Sequence, residues 1–168
     1  MRILLVVVVL AGLGYFACRS NKEEPKQVPA PVERPAGEPK AIPQKEATEG
    51  AAFNKLFPAP ADGYKVVFTQ EKDGFAQADL THDGKKVAVM TISDTAANPS
   101  ARDKFKSSSK QIAGHPAAAV GSQGTALLVG DRYQVQVRSL DPSFAPAARE
   151  AWLEKFKLTQ LAALASKR

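Results

Sequence analysis

Cysteine and tryptophan each occur once in the 168 residues, histidine occurs twice, and aromatic residues make up only 7%. A single thiol supports neither a disulfide framework nor a multi-thiolate zinc module, and so few aromatics provide no stacking platform for RNA. Charge of one sign is not concentrated either. The net charge is +6, yet nowhere do five basic residues stand in a row, the pattern that marks a nucleic-acid patch. What is present is ordinary: 44% hydrophobic and 24% charged residues. That balance excludes both a polyelectrolyte and a polytopic membrane protein. Domains cluster near about 100 to 150 residues, so the length allows one domain with a tail or linker.

The chain opens with Arg2 and then 15 uncharged, mostly apolar residues, Ile3 to Ala17. At 1.5 Å per residue a helix of that length reaches about 22 Å, short of the roughly 30 Å hydrocarbon core of a bilayer. Its length matches the apolar region of an export signal. The sole cysteine, Cys18, follows Ala17 and precedes the next charge, Arg19. A small residue and then cysteine at the end of such a signal resembles the lipobox of bacterial lipoproteins. Tyr15 and Phe16 stand where that family prefers leucine and a small residue. The resemblance implies removal of residues 1–17, diacylation of Cys18 with palmitate-type chains, and a periplasm-facing lipid anchor. Arg19, in place of an inner-membrane retention aspartate, favours the outer membrane. Two acyl chains are what stable anchoring requires. An uncleaved amino-terminal anchor and secretion with cleavage elsewhere remain alternatives, and all three place the protein outside the cytoplasm. Export removes nucleic acid as a partner.

From residue 18 to residue 50 the composition changes. Six of the twelve prolines lie between Arg19 and Gly50, with six cations balanced by six anions. Such a segment has little apolar surface to offset its ordering entropy, and the expectation is a disordered stalk. Residues 51–168 then form one domain and carry the excess charge, 16 cations against 11 anions.

Within that domain Tyr64–Gln70, Phe75–Thr81 and Val87–Ser93 read as strands, the last two flanking Asp83-Gly84, a hairpin signal because such turns need positive φ. Thr125–Val129 and Arg132–Ser139 form a second pair around Gly130-Asp131. Lys106–Ala113 and Pro116–Val120 are weaker strand candidates. From Pro146 the period becomes helical, with Ala148, Trp152 and Phe156 spaced by four residues, so Trp152 belongs to a core stripe. A last helix holds Leu158, Leu161 and Leu164, with Thr159 as its expected cap. The fold class is α+β: a small antiparallel sheet of about five to seven strands packed against a C-terminal helix.

Catalytic machinery is hard to find. His82 beside Asp79 and Asp83 lacks metal-site spacing. His115 lies between glycine and proline. Ser107-Ser108-Ser109 lacks the glycine frame of a nucleophile elbow and reads as a polar strand face. Gly121-Ser122-Gln123-Gly124 opens a strand rather than a helix, unlike a phosphate cradle. No catalytic residue, metal or cofactor is expected.

One strand does suggest a surface. If Tyr133, Val135 and Val137 face the core, then Arg132, Gln134, Gln136 and Arg138 line the opposite side as a polar ridge with a cation at each end. Such a ridge can bind a protein, wall polymer or lipid, and replacing both arginines should leave folding intact. The expected function is non-enzymatic: an envelope lipoprotein presenting a small domain to another envelope component. A small periplasmic hydrolase or metal-binding protein, and a structural spacer, are the alternatives. A concave pocket holding His115 and acidic partners would favour the hydrolase.

Overall fold

The computed structural model describes residues 47–167, all of which fall in one compact unit. The export signal, Cys18 and the proline-rich segment up to residue 46 lie outside the described residues.

Seven antiparallel strands form the sheet: β1 (Tyr64–Lys72), β2 (Phe75–His82), β3 (Lys85–Asp94), β4 (Gln111–Ile112), β5 (His115–Val120), β6 (Gly124–Val129) and β7 (Tyr133–Ser139). Their order is β1-β2-β3-β7-β6-β5-β4. Two meanders, each running from an edge inward, therefore meet at β3 and β7. Each hairpin follows from its turn. Asp83 and Gly84 have φ of 49° and 76°, and Gly130 and Asp131 have 58° and 52°, the positive pair that matches the twist of the flanking strands.

The helices are α1 (Gly50–Asn54), α2 (Asp103–Lys106), α3 (Pro146–Glu154) and α4 (Leu158–Ser166). Pro146 opens α3, where a missing amide is harmless. Helices α1, α3 and α4 cover one face of the sheet. Phe53, Leu56 and Phe57 pack there with Trp152, Leu153, Phe156 and Leu161 against Leu80, Met90, Ile92, Leu127, Val135 and Val137. Trp152 is 5% exposed, in the core as its spacing suggests. The two ends of the described segment meet: the Phe57 and Phe156 ring centroids lie 5.3 Å apart, and the Lys157 amide donates to the Leu56 carbonyl at 3.0 Å.

Three local expectations are corrected. Residues 106–113 do not form a strand. Phe105 pulls Asp103–Lys106 into the α2 turn, where it packs on Ala126 and Leu128 of β6, and only Gln111–Ile112 pair with β5. Ser107 ends that turn and Ser108 donates to the Ala117 carbonyl, so the serines tie a loop to β5 rather than line a strand. Thr159 is the second residue of α4 and does not cap it; Lys157 holds the cap position without a side-chain bond. The packed unit also begins upstream of Ala51, since Thr48 and Gly50 are buried.

Candidate functional site

Strand β7 alternates as its sequence demands. Tyr133, Val135 and Val137 are fully buried on the helix-covered side, which sends Gln134, Gln136 and Arg138 to the opposite face. In register they lie beside Ser93, Thr91 and Val89 of β3. Gln134 donates to Gln136 at 3.2 Å and accepts from the Lys104 ammonium at 2.5 Å. Burial lowers the affinity of that ammonium for its proton. These contacts make a connected polar row.

Arg132 does not belong to the row. It stands just before β7, and its guanidinium grips Asp94 at the end of β3, with Nε to Oδ1 at 3.0 Å and Nη2 to Oδ2 at 2.8 Å. The Asp94 side chain is 2% exposed and that of Arg132 is 18% exposed. Asp94 also accepts from the Ala96 amide at 3.0 Å, and from the Thr48 amide and hydroxyl at 3.1 and 3.0 Å. Burial alone would raise the Asp94 carboxyl; the bonds from Arg132, Ala96 and Thr48 outweigh it and hold the group below the usual aspartate range. Thr48 continues the network to the buried Tyr133 hydroxyl at 2.8 Å. This is a structural clasp across the β3–β7 seam. The expected ridge thus keeps three of its four members, with a cation at one end only.

The remainder of that face is asymmetric. Over β5 and β6 it is capped by Phe105, so every residue of β6 is buried. Over β1, β2 and β3 the face is more exposed, and α2 reaches the border of this area through Lys104 on Gln134 of β7. Val67 is 48% exposed. Gln77, Val89, Thr91 and Gln136 are half-buried and Arg138 is exposed. Asp79 is buried within this area, its carboxylate covered by Lys86 from the next strand.

The two histidines stand on different strands, His82 at the end of β2 and His115 at the start of β5. His82 stacks on Tyr64 with ring centroids 4.3 Å apart, on the helix-covered side, while Asp79, three residues back, faces the other way. The strand's two-residue period separates them. Among the described residues no three His, Cys, Asp or Glu side chains gather as a metal cage. His115 lines a groove of about 370 Å³ with Glu154, Lys157 and Thr159. The last three are exposed, and His115 shows no side-chain hydrogen bond to any of them. A second groove, about 580 Å³, runs between Arg102, Asp103, Lys106 and Asp131 over Leu128. Lys106 pairs there with Asp103 at 2.7 Å, and Arg102 donates to the backbone carbonyl of Asp131 at 2.7 Å.

Comparison with protein-family models, with curated proteins and with solved structures gives no match for this chain.

Proposed function

We propose that this chain is a lipid-anchored envelope protein, attached through acyl chains on Cys18, whose α+β domain is a binding module rather than an enzyme. The observation that carries this reading is the half-sheet over β1, β2, β3 and β7 that the described residues leave partly exposed. Its surface mixes apolar Val67 and Val89 with the amides of Gln77, Gln134 and Gln136 and one cation, Arg138. Amides both donate and accept, so such a face suits the mixed hydrogen-bonding surface of a protein or wall polymer. Neither groove places a nucleophile within hydrogen-bond reach of a base among the described residues, which supports the binding reading. The rival reading, a small hydrolase, draws on the groove that holds His115, Glu154 and Thr159.

The test has two parts. Labelled fatty acid should enter the unaltered chain and not Cys18→Ser. Crosslinking in intact membranes should capture a partner that the double variant Gln136→Ala with Arg138→Glu loses, while His115→Ala keeps it. Acylation unchanged in Cys18→Ser ends the anchor reading. Capture unaffected by the face variant ends the binding-face reading.

A further inference from the structure

Arg149 lies on α3, between the helix and the sheet, and is 6% exposed. Its Nε donates to the Thr125 hydroxyl at 3.0 Å and its Nη1 to the Ser139 hydroxyl at 2.9 Å. Ser139 in turn donates to the Phe144 carbonyl. Neither partner carries charge. Nη2 has no hydrogen-bond partner, and no carboxylate lies within ion-pair distance of the guanidinium among the described residues. Guanidinium does not release its proton in proteins, so the charge is permanent. Nη2 is not sealed from solvent, but a charge so largely buried without a counter-charge favours an anion at that opening.

Arg149 forms part of the lining of a groove of about 250 Å³, with Lys110, Ser122, Gly124, Pro146 and Glu150. The groove's acid is already taken, since Glu150 accepts from the Lys110 ammonium at 2.6 Å. Pro146 marks the first turn of α3, and Ala145 before it supplies no side-chain cap. Pro146 itself has no N–H, so the free amides of that turn begin at Ala147, and they add partial positive charge behind it. The turn at Gly121–Gly124 does not run into a helix in sequence, but the fold brings the start of α3 beside it.

We infer that this groove is an oxyanion site, in which Arg149 Nη2, with Ser122 and the amino-terminal turn of α3, receives one singly charged oxyanion group. Two cations against one carboxylate leave the groove at +1, which a monoanion neutralises and a dianion over-compensates. A carboxylate and a phosphodiester share this chemistry. The site is separate from the open sheet face, so it stands or falls apart from the binding role assigned there.

The experiment uses the full chain in detergent micelles with nitrogen-15 labelling, reading the Arg149 Nε–H resonance. Acetate and dimethyl phosphate are titrated against chloride at constant ionic strength. Either oxyanion should shift the resonance to saturation, and the one that does identifies the source class. Glu150→Gln removes the competing carboxylate and frees Lys110, so it should tighten binding severalfold. Arg149→Lys loses the planar fork and should weaken binding by at least about tenfold. In Arg149→Met, with the melting of Trp152 fluorescence checking the fold, amide shifts around Ser122 should no longer saturate. A response equal to that of chloride, or an affinity unmoved by Glu150→Gln, overturns the site even where the Arg149 variants fail to fold.

Discussion

Arg132 and Arg138 stand six residues apart in sequence and read alike there, yet the fold gives them opposite energetic weight. In Arg132→Ala the Asp94 carboxylate, 2% exposed, loses two charge-assisted bonds and its only counter-ion among the described residues. Removing one partner of a buried pair costs about 3 to 5 kcal/mol. Three donors, from Ala96 and Thr48, still reach Asp94, so the cost should fall near the lower end, about 3 kcal/mol. Arg138 is exposed, and its replacement by alanine should stay within about 0.5 kcal/mol. Urea unfolding at pH 7, followed by the fluorescence of the single buried tryptophan, measures both. The pH dependence has a definite sign. The folded Asp94 titrates below its ordinary value of 3.8; its contribution is therefore complete above that value and is lost as pH falls through the folded pKa. The gap between the unaltered chain and Arg132→Ala should narrow over that window below pH 3.8. Equal stability of the two arginine variants at pH 7 would refute the clasp, and a gap constant down to pH 2 would refute its electrostatic origin.

Gly130→Ala should cost about 2 kcal/mol, because φ of 58° disfavours a side chain and the new methyl would meet Ala165 of α4 at 2.7 Å. Gly84→Ala has the same backbone handicap with nothing within 4 Å, so it should cost only about 1 kcal/mol, and thermal melts of the two variants isolate the helix contact. A chain begun at Ala51 should melt cooperatively but at lower temperature than one begun at residue 47. Losing Thr48 removes its bonds to Asp94 and Tyr133, each worth about 1 kcal/mol, and equal melting temperatures would show those bonds to be idle.

The strands of β1–β3, β6 and β7 were legible because their signals are local: β-formers in period two, and turn pairs such as Asp83-Gly84. The alternation of residues 133–138 also fixed which side of β7 faces the core. What escaped depends on residues distant in sequence. Nothing near Arg132 announces Asp94, 38 residues earlier, and nothing near Thr48 announces Tyr133. Ala101–Phe105 reads as a helical turn, but that Phe105 caps β6 shows only once β6 is in place beneath it. Arg149, between Ala148 and Trp152, resembles a residue on the solvated side of an amphipathic helix. Only the hydroxyls of Thr125 and Ser139, brought from β6 and β7, reveal that it points inward. The spacing of Phe53, Leu56 and Phe57 does carry a helical period, but five residues of helix are too few to stand out from a loop.

Thr48, near the start of the described residues, is held at several points at once, which gives the clasp a mechanical meaning. A pull delivered along the chain at this point is not applied first to the edge strand β1, whose ladder could open one hydrogen bond at a time. It meets the Thr48 amide and hydroxyl on Asp94, the same hydroxyl on Tyr133, and the Thr48 carbonyl holding the Gly74 amide at 2.7 Å. Those contacts engage β3, β7 and the β1–β2 turn together. A load shared among bonds in parallel has to break them at once, whereas bonds in series yield singly. The domain is gripped at the middle of its sheet, and a tether fixed there drags the core strands as one body.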